Sequence, residues 1–139
     1  MSYRCTYFDI RELVDRTTFD TFGDGSWMFL QPDALMSLDG IRVYFGKPVL
    51  VNNWAAGGQS ENRGFRPTTS TVGVSYSQHR YGNAFDIDVQ GVDAESVRQE
   101  IIKNKDLYLF CKIMCMEVGI NYVHFDCRNI PDRIRLVTP

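Results

Sequence analysis

Both histidines of the 139-residue chain fall in two short stretches that also carry carboxylates. The first is Ser77-Gln78-His79-Arg80-Tyr81-Gly82-Asn83-Ala84-Phe85-Asp86-Ile87, and the second is Tyr122-Val123-His124-Phe125-Asp126. In the first, Ala84, Asp86 and Asp88 alternate with Phe85, Ile87 and Val89. This period of two puts the acids on one face of a strand and the apolar side chains on the other. The second stretch alternates in the same way and sets His124 and Asp126 on one face. Gly82-Asn83 is turn chemistry that folds the chain so that His79 comes back over the strand beside Asp86. Two imidazoles and a carboxylate held by strands make a zinc-type ligand set of His79, Asp86 and His124, with a fourth position open to water.

The elements that must position these residues follow from patterning. Asp9 caps a short helix through Ile10–Val14. Thr17–Trp27, rich in Gly and Asp, is expected to loop. Pro32-Asp33 opens a helix whose apolar face holds Ala34, Leu35, Leu38, Ile41, Val43 and Phe45, stopped by Gly46-Lys47-Pro48. Val49–Trp54 predicts a mostly buried strand. Ala55–Val72 is a long polar loop, which in a small domain points to function or disorder. Asp93 caps a helix with Ala94, Val97, Ile101 and Ile102 inward, and Glu95, Arg98, Glu100 and Lys103 toward water. Leu107–Met116 admits either a second helix or part of a hairpin. The pattern favours a helical turn and then a strand over Lys112–Glu117, followed by a strand over Ile120–Cys127. Ile134–Val137 predicts a small edge strand after Pro131. The sum is one α+β domain over residues 1–139, a small antiparallel sheet with helices packed on one face and the metal on the other.

Composition narrows the function classes. A net charge of −2, with no Lys/Arg cluster, argues against nucleic acid as a partner. No run of eighteen apolar residues predicts membrane insertion. The N-terminus lacks the apolar core of a signal peptide, so the chain is expected to stay in a cytosol or to leave by another route. Cys5, Cys111, Cys115 and Cys127 form no Cys-x-x-Cys pair and lie among apolar neighbours, so they are expected to be buried, reduced thiols rather than a metal cluster.

Ser77-x-His79-x-x-Gly82-x-Ala84-x-Asp86, with the later aromatic-x-His124-x-Asp126, resembles the zinc D-alanyl-D-alanine peptidases of family M15. That family sits in a wider group with lysostaphin-type enzymes and the hedgehog domain. The resemblance runs from about Phe8 to Arg128. It implies a peptidoglycan peptidase that hydrolyses an amide of wall stem peptides, as a carboxypeptidase or an endopeptidase. Gly64-Phe65-Arg66 looks like the family's Gly-aromatic-Arg element, which implies that Arg66 holds substrate or steadies an oxyanion; the alternative is a solvated loop arginine.

The general base is less direct. Many family members carry an acid three residues before the second histidine, where this chain has Asn121. Glu117 is the expected base. A hairpin turn of about four residues would set it diagonally from His124, roughly 7 Å away, and a two-residue turn would leave it about 13 Å off. Asp126 is the other carboxylate, better suited to supporting a ligand. If neither reaches the water, the protein binds zinc and cuts slowly or not at all. Ser77 is expected to orient a side chain or carry substrate rather than to attack, and Trp54, Tyr76 and Tyr81 to pack in the core or at the rim, with lining of the cleft as the alternative. The loop at Gly57-Gly58 and Asn121-Tyr122 look most like compact phage and prophage members. That likeness implies a lysis or virion enzyme, found in the host cytoplasm before lysis or in the particle, with phage structural proteins as further partners. The competing expectation is a zinc-containing structural or binding protein of a phage tail.

Overall fold

The computed structural model describes residues 3–110, 112–129 and 134–139, so Cys111 and Pro131 lie outside the described residues. Among the described residues the fold is α+β, with three helices and a five-stranded, mostly antiparallel open sheet. Strands β1 (Val49–Leu50), β2 (Ala84–Val89), β3 (Cys115–Glu117), β4 (Val123–Asp126) and β5 (Arg135–Val137) are arranged in the order β1-β2-β4-β3-β5. The β2–β4 pair is the centre, in a register that sets Asp86 opposite His124 and Ala84 opposite Asp126. β5 runs parallel to β3 at the far edge.

Alternation divides the sheet into two faces. Phe85, Ile87, Val89, Met116, Val123 and Phe125 point to one side and join a single apolar cluster with Leu35, Leu38, Ile41, Val97 and Ile101. Those five residues come from helices α2 (Pro32–Phe45) and α3 (Ala94–Lys103), which therefore cover this face. Helix α2 begins with proline in its first turn, where the missing N–H costs nothing, and stops at Gly46 in the left-handed region. Helix α3 starts at Asp93, whose side chain accepts the Ser96 N–H.

Three expectations are corrected. Thr17–Trp27 is not a loop: Asp15 caps helix α1 (Arg16–Phe22), and a 3-10 stretch follows over Gly23–Phe29. Its glycines and acids read as loop, but aromatic contacts hold it, Phe22 on Phe29 at 4.9 Å and Phe19 on Trp54 at 6.0 Å. The strand expected over Val49–Trp54 pairs only at Val49 and Leu50. Further along, the edge of β2 is taken by the loop, because the Asp86 N–H donates to the Arg63 carbonyl at 2.7 Å. Trp54 turns away into a 3-10 turn, its indole N–H on the Val14 carbonyl at 2.8 Å. Finally, Arg98 does not face water; it is 3% exposed and fills a buried position beside β4. The strands expected over Lys112–Glu117 and Ile120–Cys127 form as the shorter β3 and β4. Cys115 is buried, while Cys5 and Cys127 are half-buried, and all three are free thiols. Among the described residues no helix is long and apolar enough to cross a membrane.

Candidate metal centre

The face of the sheet opposite the helices carries Ala84, Asp86 and Asp88 on β2, His124 and Asp126 on β4, and Cys115 and Glu117 on β3. Over it folds the long loop from Ala55, ending in a 3-10 turn, Gln78–Tyr81, that delivers His79. The Ser77 hydroxyl accepts the His79 main-chain N–H and caps the turn. At the far end Gly82 sits at φ +68° against the Phe29 carbonyl oxygen, too close for any Cβ. Trp54 is buried, whereas Tyr76 and Tyr81 are exposed.

Gly64-Phe65-Arg66 fixes the loop from the other side. The Phe65 N–H donates to the Leu13 carbonyl at 2.9 Å and the Arg66 N–H to the His79 carbonyl at 3.2 Å. Phe65 is buried and stacks on Phe29 at 5.0 Å. Gly64 lies so close to the Leu13 carbonyl oxygen that a side chain there would collide with it. Its own carbonyl accepts from His79 Nδ1 at 2.8 Å. A carbonyl can only accept, so Nδ1 carries the proton and Nε2 presents a bare lone pair.

The opposite choice is made at His124. Its Nε2 lies 3.0 Å from Asp126 Oδ2, so Nε2 keeps a proton and Nδ1 is the atom that turns inward, free to ligate once its own proton is lost. Asp126 is fully buried and gripped in a two-pronged pair by Arg128, at 2.6 Å and 2.7 Å. The two lone pairs and Asp86 Oδ1 converge: His79 Nε2–Asp86 Oδ1 is 3.2 Å, His124 Nδ1–Asp86 Oδ1 2.9 Å and His79 Nε2–His124 Nδ1 3.3 Å. All three residues are buried. Donor atoms about 2.05 Å from a tetrahedral zinc stand about 3.3 Å apart, so this triangle has the size such an ion requires. Three lone pairs facing one another repel unless a proton or a metal cation lies among them. The donor set therefore fits a metal on both geometry and chemistry.

Electrostatics agree. Burial disfavours charge on His124, but the hydrogen bonds to Asp126 and Asp86 outweigh it and raise its pKa to about 9. Burial likewise works against the Asp86 carboxylate, yet His124 and His79 hold its pKa well below the usual carboxylate range. The same pocket that attracts a proton attracts a metal cation.

Glu117 reaches the site. The β3–β4 register pairs Cys115 with Asp126 and Met116 with Phe125, so one further step sets Glu117 opposite His124 rather than diagonal to it. Its Oε1 lies 3.9 Å from His124 Nδ1, and it stands outside the converging donor set. Arg66 donates from Nη2 to Asp86 Oδ2 at 3.2 Å and from Nε to the Asn62 carbonyl at 2.7 Å, so it is held against the ligand set rather than loose in solvent. Asp126 sits behind His124, on the side away from the donor triangle.

Sequence reasoning missed Arg128 and Arg98. Arg128 shares the alternating face with Asp126 and was legible in that spacing. Arg98 was not: its guanidinium reaches the carbonyls of Tyr122 at 2.9 Å and Ile120 at 3.1 Å, and so clamps the turn between Glu117 and His124.

A family-level profile described as Peptidase M15 matches residues 5–126. The chain belongs to the Peptidase M15 family. The match spans both histidine stretches, Gly64-Phe65-Arg66 and Glu117. Comparison with curated proteins and with solved structures returns no match. In this M15 chain the buried His79–Asp86–His124 group is the site that could bind a metal, and zinc is the metal typical of the family.

Proposed function

We propose that this M15 chain is a zinc-dependent peptidase of peptidoglycan stem peptides, acting as a D-Ala-D-Ala carboxypeptidase or an endopeptidase. The observation that carries the reading is the convergence of three donor atoms, one each from His79, Asp86 and His124, with Glu117 beside them. His79 through Nε2, Asp86 through Oδ1 and His124 through Nδ1 would hold the ion. Bound there, zinc supplies a polarised carbonyl and a water acidified to near neutral pH. The chain does the rest. Glu117 Oε1 accepts the proton of the attacking water and returns it to the leaving amine, so an amide and water become a carboxylate and an amine. Arg66, fixed by Asp86 and the Asn62 carbonyl, offers its guanidinium to the substrate carboxylate or to the oxygen that gains charge. Asp126, with Arg128 behind it, keeps His124 in the ligating tautomer.

The likeness of the Gly57-Gly58 loop and of Asn121-Tyr122 to compact phage members supports a lysis or virion enzyme as the setting. The deciding experiment pairs metal analysis with hydrolysis of defined stem peptides. One zinc per chain, lost in His79→Ala, together with newly released amines, is the expected result. Zinc without hydrolysis of any stem peptide would refute the enzyme and leave the zinc-containing virion protein.

A further inference from the structure

Burial along the site face is graded. The row Ala84–Asp126–Cys115 is wholly buried, and in the row next to it Asp86 and His124 are buried while Glu117 is half-buried. One step further, the register that pairs Asp86 with His124 and Ile87 with Val123 carries Asp88 across from Tyr122. This third row is open, the Asp88 side chain being 47% exposed. The metal row is therefore approached from the Asp88–Tyr122 side. Residues two apart on a strand are about 6.7 Å apart, and an extended peptide advances about 3.4 Å per residue. A group bound at Asp88 thus lies within about two residues of an amide held at the metal row.

Arg63 builds this third row. Its Nη1 donates to Asp88 Oδ2 at 2.8 Å, and its guanidinium lies 5.6 Å from the centre of the Tyr122 ring. The main chain of Arg63 is itself fixed, its N–H on Asn52 Oδ1 at 2.9 Å and its carbonyl on the Asp86 N–H at 2.7 Å. The pair is asymmetric. Arg63 is only 18% exposed, so its charge is turned inward, while the carboxylate it orients faces the approach. Arg63 holds one oxygen of Asp88 through a single bond, and a carboxylate has about four acceptor sites.

We propose that Asp88, aimed by Arg63 and walled by Tyr122, is a substrate subsite for a primary ammonium group within two residues of the scissile amide. In a stem peptide that group is the side-chain amine of the dibasic residue. The proposal rests on the peptidase reading for its place in the substrate, but its ligand chemistry is separate from the metal chemistry.

The test uses two stem peptides that differ only in whether the side-chain amine is free or acetylated. Binding is measured by calorimetry on zinc-loaded Glu117→Gln protein, and hydrolysis on the wild type. A half-exposed carboxylate–ammonium contact is worth up to about 1 kcal/mol, so the free amine should bind tighter by up to about fivefold. In Asp88→Asn the ratio should fall to about one, and in Asp88→Glu it should stay above that. Zinc content of each variant reports on folding. Hydrolysis with no preference between the peptides, or a preference that survives Asp88→Asn, overturns the subsite and leaves the peptidase standing. A preference in binding that Asp88→Asn abolishes, without hydrolysis, keeps the subsite and removes the peptidase. Failure to bind either peptide overturns both.

Discussion

The pH dependence of zinc affinity tests the centre most directly. His124 must give up its Nδ1 proton to bind a metal, and in the metal-free protein that proton is held up to about pH 9. Three carboxylates face the ring from three strands: Asp86 on β2 at 2.9 Å, Asp126 on β4 at 3.0 Å and Glu117 on β3 at 3.9 Å. Burial opposes the charge and loses to them. Below pH 9 a proton and the metal compete for one lone pair, so apparent affinity rises about tenfold per pH unit and levels off above about 9. Between pH 7 and 9 the gain from this ring is about 50-fold, because half the rings still carry the proton at pH 9. Asp86 adds nothing over that range, because its pKa lies well below it and it is already ionised. The assay is competition against a chromophoric zinc chelator of known protonation, from pH 6.5 to 10. Affinity that is flat between pH 7 and 9 would refute the placement of His124 Nδ1 in the donor set.

Glu117→Gln should lower kcat by about 100-fold to 10,000-fold while one zinc per chain remains, read by steady-state kinetics and metal analysis. Arg98→Met leaves the Tyr122 and Ile120 carbonyls without their buried donor. It should cost about 2 kcal/mol in urea unfolding and speed amide exchange in the turn before His124. In the metal-free protein the His124 pKa rises from 6.5 to about 9 on folding. That stabilisation, on the order of 3 kcal/mol, is complete below pH 6.5 and is lost as pH rises through about 9. Thermal melts should therefore show Tm falling over that range without zinc and holding steady with it.

The central strands were legible because both obey a strict period of two, and a strand with one buried face leaves little freedom of register. That pattern alone placed Asp86, His124 and Asp126 on one side and Phe85 and Phe125 on the other. The caps Asp9, Asp15 and Asp93 obey equally local rules, yet α1 escaped notice because one of the contacts that hold it, Phe19 on Trp54, comes from a partner distant in sequence. Arg98 failed for a related reason. On the helix it has the spacing of a solvated residue, and only the turn docked against it supplies carbonyls that make burial tolerable. The reach of Glu117 depended on a turn length that patterning left open. Its answer lies in the β3–β4 register, and two alternating residues, Cys115 and Met116, are too few to declare that in advance.

The two histidines are held in their tautomers by different means, and this makes their failures separable. His79 leans on a main-chain carbonyl, Gly64, whose position is set by close approach to Leu13. A carbonyl bears no net charge and can only accept, so this contact fixes the direction of the ring. His124 leans on a buried carboxylate, Asp126, which fixes direction and also raises the affinity of the ring for any cation. Gly64→Ala forces the loop back from Leu13 and displaces His79. Zinc affinity should then fall about tenfold by the same factor at every pH, with a stability loss of about 1–3 kcal/mol. Asp126→Asn acts on basicity. It weakens the ligand by about 10-fold to 100-fold, but it also lowers the pKa against which the metal competes. At pH 7 the two effects offset each other, whereas at pH 9.5 only the weaker ligand remains, so the defect should grow with pH. Parallel curves for both variants would mean that Asp126 only positions the ring, and that the raised basicity of His124 comes from Asp86 and Glu117.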